Sequence, residues 1–321
     1  MKKKFNTIIS AVCVFVCAVV LCLSAGCTKT EKKSLNVVVT VFPEYDWVIN
    51  VLGEHSQDVG VTLLLDNGVE LHSYEPTAKD IIAVSSCDLF IYVGGESDSW
   101  VDNVLKSSAN KNMRTINLIK SLGERAKEEE LIEGMEVEPS EDAEYDEHVW
   151  LSLGNARAFV TEIAEELGKI DVNNAADYLS NAQNYNQKLS ALDQEYEKAA
   201  LDGNKDTLVF ADRFPFRYLL DDYGLKYYAA FSGCSAEVNA SFATVAFLAE
   251  KVDELELDYI LKIESSDGSL ATAVKNATKN KNQKILTLDS LQSGTIRQFN
   301  AGRTYLSVMS ENLNVLKTAI A

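Results

Sequence analysis

Three histidines among 321 residues, set against 48 acidic side chains, mean that any imidazole chemistry rests on His55, His72 or His148. Cysteine is equally thin. Cys13, Cys17, Cys22 and Cys27 fall in the first 27 residues, which leaves Cys87 and Cys234 for the rest of the chain. Two cysteines exclude a disulfide scaffold. The run "AVSSCDLFIYV" makes Cys87 a small buried residue ahead of a strand. Cations are outnumbered 30 to 48, for a formal charge of −18. Such a surface repels nucleic acid and attracts cations weakly. After the N-terminal segment no apolar run approaches the length needed to cross a bilayer. No HExxH cluster is present, so the local motif of a zinc hydrolase is missing.

The first residues, "MKKKFNTIISAVCVFVCAVVLCLSAGC", place a basic segment before an apolar run and then small residues. That order reads as a secretory signal over residues 1–26, outside the fold. "LSAGC" resembles a bacterial lipobox, with Ser24 one position ahead of Ala25 where an apolar residue is commoner. The resemblance implies a lipid on Cys27 and an extracytoplasmic protein held at the cell membrane surface. Residues 27–34 then form a polar tether.

The remaining residues suffice for two domains. "LNVVVTVF" (35–42), "VGVTLLL" (59–65), "DLFIYVG" (88–94) and "TINLI" (115–119) have the apolar, β-branched character of buried strands. "PEYDWVINVLGE" and "EPTAKDIIAVSS" between them have helical spacing. Residues 123–147 are dense in acid and poor in large apolar groups, which predicts an exposed, mobile insertion. Order resumes in a helix through Ala156, Val160, Ile163, Ala164 and Leu167. From Asn173 to Leu201 neither glycine nor proline occurs, and Tyr178, Ala182, Tyr185, Leu189, Leu192 and Tyr196 recur at helical spacing. One long amphipathic helix is predicted there, a strut between two halves. Strands at 206–211, 227–231, 258–264 and 284–291 then alternate with helices. The reading is an α/β fold: two α/β domains with parallel sheets, 35–170 and 203–321, joined by a long rigid backbone helix over 171–202.

His72 in "GVELHSYEPTAKDI" and His148 in "DEHVW" both precede helix-forming segments. Asp212 in "LVFADRF" and Asp289 in "LTLDSL" follow apolar strand runs. Ligand groups in open α/β sheets gather at strand ends. Two imidazoles and one or two carboxylates make a mixed nitrogen and oxygen site for a divalent ion. His55, in "LGEHSQ", reads as an exposed turn residue.

"ELHSYEPTAKDI" and "DEHVWLSLGNARAFVTEI" resemble the first two metal-binding segments of the zinc- and manganese-binding solute-binding lipoproteins of metal ABC importers. "AQNYNQKLSALDQEY", "LDSL" and "YLSVMSENLNVLKTAI" extend the resemblance, in order, over the whole mature chain. It implies capture of Zn2+, or of Mn2+ next, in the interdomain cleft, and delivery to a membrane permease driven by a cytoplasmic ATPase. It implies ligands at His72, His148 and Asp289. The remaining ligand of that family, a histidine or glutamate, aligns without gaps on Arg213, which cannot bind a cation; the adjacent Asp212 takes the role if the strand end shifts by one residue. Glu264 in "LKIESSDG" matches an acidic position usually outside the ligand set. Cys234 in "SGCSAE" reads either as a soft ligand near the cleft or as a small residue packed in a turn. A surface adhesin or organic-solute receptor on the same lipoprotein scaffold, and a zinc-dependent hydrolase, are the alternative functions.

Overall fold

The computed structural model describes residues 35–136, 144–234 and 239–321. The signal, tether and Cys27 readings therefore lie outside the described residues. Alternating β-branched runs become eight strands. β1 (Leu35–Val39), β2 (Val59–Leu63), β3 (Leu89–Tyr92) and β4 (Arg114–Asn117) pair in the order β2-β1-β3-β4. β5 (Thr207–Phe214), β6 (Lys226–Ser232), β7 (Tyr259–Ile263) and β8 (Lys284–Leu288) repeat that order as β6-β5-β7-β8. All the pairs are parallel. Parallel strands need covering on both faces, which is why Val37, Val39, Phe90 and Ile91 of one sheet, and Phe210 and Leu261 of the other, are all buried.

Helices supply the cover. In the first lobe these are α1 (Phe42–Leu52), α2 (Ala78–Ser86), α3 (Val101–Lys106), α4 (Leu118–Leu122) and α5 (Leu153–Ile170). α2 starts one residue after Pro76-Thr77, where the Thr77 hydroxyl accepts from the Asp80 amide and Asp80 caps in return. α6 (Ala175–Asp202) is the strut, 28 residues and about 42 Å at the standard rise. The second lobe carries α7 (Arg217–Asp222), α8 (Phe242–Glu254), α9 (Ser269–Ala277), α10 (Ile296–Asn300) and α11 (Tyr305–Ala319).

α6 serves both lobes with hydrogen bonds from buried tyrosines. Tyr185 Oη donates to Asp46 Oδ2 of α1 at 2.7 Å, and Tyr196 Oη donates to the Met309 carbonyl of α11 at 2.6 Å. Leu189, between them, is fully buried. His55, given no role from sequence, pairs with Asp177 at the start of α6 at 2.9 Å.

The described residues of the acidic segment, 123–136 and 144–147, include many exposed side chains, as expected, yet they also make specific contacts. They run as a strap across the second lobe. The Lys127 amide donates to Tyr218 Oη and the Glu136 amide to the Ala230 carbonyl; Met135 is buried. Gly134, at φ +87°, lies so close to Phe247 that any side chain would collide with the ring. Scattered small contacts, mostly to the second lobe but also from Arg125 to Asn155 and from Glu147 to Ser97 of the first, hold this stretch in place of an apolar period of its own.

Candidate metal centre

The carboxyl ends of both sheets meet in a cleft. Beyond β2 the chain reaches a single 3-10 turn, Leu71–Ser73, that buries Leu71 and turns His72 inward. Beyond the strap, "DEHVW" forms a compact unit. Asp146 Oδ1 accepts from both the His148 amide, at 2.8 Å, and His148 Nδ1, at 2.9 Å. Trp150 packs 5.4 Å from the His148 ring, and its Nε1 donates to the Ser290 carbonyl of the other lobe. Within this unit the aspartate orients the imidazole, and the tryptophan seats it against the second lobe.

The two histidines converge. His72 Nε2 and His148 Nε2 lie 3.3 Å apart. His148 Nδ1 faces a carboxylate, so it carries the hydrogen and Nε2 presents its lone pair in the neutral ring. His72 Nδ1 is likewise engaged, 2.9 Å from Ser97 Oγ and 3.5 Å from Glu147 Oε2. Two inward lone pairs at this distance need a proton or a metal ion between them. Two nitrogens bound tetrahedrally to zinc at about 2.0–2.1 Å would themselves stand about 3.3 Å apart. The separation therefore fits an edge of a zinc tetrahedron.

Electrostatics agree with the geometry. Burial pushes the His72 imidazole down to about 3, with His148 and Arg213 adding to the effect, so it is neutral at ordinary pH. Burial also opposes charge on His148, but Asp146, then Glu129 and Glu147, outweigh it and raise its pKa. Glu147 is itself buried, and its Oε1 accepts from the Ser97 amide at 2.9 Å; its Oε2 has no hydrogen-bond donor among the described residues. Gly95 makes room for this carboxylate: at φ +79°, a Cβ there would sit 2.4 Å from Glu147 Oε1. Burial raises the pKa of Glu147 and of Glu129, and carboxyls held in this way behind two neutral-capable imidazoles make an environment that favours a divalent cation.

The two carboxylates expected from the second lobe do not join the histidines. Both oxygens of Asp289 accept from Arg303 Nη2, at 3.0 and 2.9 Å. Asp212 accepts from the Arg213 and Ile263 amides. The cause lies in β5, where Phe210 pairs with Ala229 and Arg213 with Phe231, so that two residues face one. This bulge turns Asp212 to the neighbouring strand and sends Arg213 to Glu70 of the first lobe at 2.7 Å. Glu264 is spent on Ser290, accepting from its amide and its hydroxyl at 2.8 Å each. Instead, Sγ of Cys234 and one ring nitrogen from each of His72 and His148 lie within 4.8 Å of one another, as do donor atoms of Glu129, Asp146 and His148. Glu129 has no signal in the sequence beyond one more acid in an acidic run; the strap folds it onto the Cys234 amide at 3.2 Å.

Residues 37–319 match the family described as zinc-uptake complex component A, periplasmic (ZnuA). The zinc-binding lipoprotein AdcA of Streptococcus pneumoniae is 32% identical over 319 residues, which are 98% of this chain and 60% of that protein. The chain thus spans about 60% of the length of the streptococcal relatives it matches. The high-affinity zinc uptake system protein ZnuA of Bacillus subtilis is 28% identical over 322 residues, covering 95% of this chain and 96% of that one. Among solved structures, the Zn(II)-bound ZnuA-like domain of S. pneumoniae AdcA superposes with a TM-score of 0.70 at 30% identity, over 89% of this chain and 98% of that one.

Proposed function

We propose that this chain, which belongs to the zinc-uptake complex component A periplasmic family, captures a divalent metal ion between His72 and His148 and passes it to an importer. Zinc is the cargo, ahead of manganese, because imidazole nitrogens suit it better than carboxylate-rich sets do. The partners are a membrane permease and its ATPase. Cys27 carries the lipid that keeps the receptor outside the cell at the membrane, with residues 1–26 removed and 27–34 as tether. No described helix is long and apolar enough to cross a membrane. The domain limits are those of the chain pattern, 35–170 and 203–321 about the backbone helix.

One observation carries the proposal: the two Nε2 atoms stand 3.3 Å apart while both Nδ1 atoms are already engaged. Asp289 enters the ligand set only by exchanging Arg303 for the metal, and Asp212 only by undoing the β5 bulge. A membrane-uptake family calls for no nucleophile or general base, and the site acts by binding alone.

The test is zinc titration of the metal-free protein against a competing chelator. Wild type binds one equivalent tightly, and its melting temperature rises with zinc, since a ligand that binds only the folded state must stabilise it. His72→Ala and His148→Ala each lose tight binding and most of that thermal shift. Unchanged affinity in both variants would refute the assignment.

A further inference from the structure

A third donor faces the histidines from the other lobe. β6 ends at Ser232 and the chain turns at Gly233. A Cβ on Gly233 would come 3.0 Å from His148 Cε1 and 3.1 Å from His148 Nδ1, so the backbone passes directly against the imidazole. The following residue, Cys234, is a free thiol. Its Sγ lies within 4.8 Å of a nitrogen of each histidine. Cys234 also lines the same cleft as His72, Ser97 and Glu147, a cavity of about 500 Å³. Among the described residues, the candidate groups at the other strand ends of this lobe are held by other partners. Arg213 is a cation held by Glu70, Glu264 holds Ser290, and Asp289 holds Arg303.

We propose that Cys234 is a metal ligand, completing with His72 and His148 a set of two nitrogens and one sulfur that sets the preference of the site for zinc over manganese. This rests on the metal-capture reading above and extends it. Binding replaces the S–H bond by an S–Zn bond; the proton leaves to solvent, and no electrons change hands. Thiolate is a soft donor that favours zinc, whereas manganese favours oxygen. At about 2.3 Å for Zn–S and 2.0–2.1 Å for Zn–N, the sulfur and nitrogens of a tetrahedral site stand about 3.5 Å apart, within reach of the observed cluster. The sulfur comes from the second lobe and the nitrogens from the first, so the metal ties the lobes together.

Cobalt(II) in place of zinc reads the sulfur directly. The processed protein, without residues 1–26 and with the Cys27 thiol blocked by its lipid, shows on loading with cobalt a near-ultraviolet thiolate-to-cobalt charge-transfer band. Cys234→Ser loses this band but keeps the visible bands of cobalt on histidine. Its zinc affinity falls by at least the roughly 10–100-fold that losing even an outer partner of a ligand costs. Its manganese affinity changes little, so the zinc-over-manganese ratio narrows. Cys87 does not confuse the assignment: it is buried in the first lobe, with Sγ on the Val84 carbonyl. Alkylation of wild-type Cys234 needs no variant, and zinc should protect it. Absence of the band, equal alkylation with and without zinc, and wild-type zinc affinity in Cys234→Ser would overturn the proposal. If His72→Ala still lost zinc under those results, metal capture would stand without the thiol. If wild type bound no metal at all, both readings would fall.

Discussion

Asp146 and His148 show how a short motif becomes a site. The aspartate accepts from the backbone and ring of a residue two places on, which fixes the imidazole before any metal arrives. That much is legible in "DEHVW", because the pairing is local. Cys234 is not legible in the same way: a single cysteine after a strand has no spacing partner, and only the fold brings it to histidines far away in the chain. Arg213 is half legible. Its charge rules it out as a ligand, but its bond to Glu70 depends on a bulge that no residue in "FADRF" announces. Another residue-scale consequence concerns Glu44, fully buried under the first sheet. Its Oε2 accepts from the Thr40 and Val41 amides, but burial prevails and raises its pKa from 4.5 to about 8. The folded protein therefore holds a proton there that the unfolded chain releases above its ordinary value. The contribution is fully present below 4.5 and is lost as pH rises through about 8. Urea unfolding of the metal-free protein should show wild type losing stability relative to Glu44→Gln between about pH 5 and about pH 8, by on the order of a few kcal/mol. Parallel profiles for the two proteins would show that Glu44 is ionised throughout.

Elements differ in how openly they declare themselves. The central strands are readable because they are largely buried and so demand near-continuous β-branched and aromatic runs. α6 is readable because 28 residues give its apolar stripe room to repeat. α3 and α10, six and five residues long, are too short to show a period in the sequence. The contacts of the strap are hidden for another reason: composition reports the cost of burying acids, not the amides and single apolar side chains that dock it. α6 also carries a prediction. Leu189 is fully buried between the tyrosines that bond to each lobe. Leu189→Ala should cost about 2–5 kcal/mol and lower the denaturation midpoint while the protein still unfolds in a single transition. A split into two transitions would show that α6 does not couple the lobes.

At the scale of the molecule, two similar sheets place their carboxyl ends around one cleft and hold it with contacts that cross it. Trp150 reaches Ser290, Tyr305 reaches the Trp150 carbonyl, and Arg213 reaches Glu70. The long backbone helix and these ties favour small adjustments of the lobes, in keeping with the proposed capture of a single ion. The acidic surface, at −18 overall, adds weak long-range attraction for cations, while the proposed selectivity rests on the few donors in the cleft. The most direct test of that claim is zinc K-edge X-ray absorption of the zinc-loaded protein. Two imidazole nitrogens at about 2.0–2.1 Å and one sulfur at about 2.3 Å are expected. An imidazole shell without sulfur would remove Cys234 alone, and an oxygen-only shell with no imidazole would contradict the site itself.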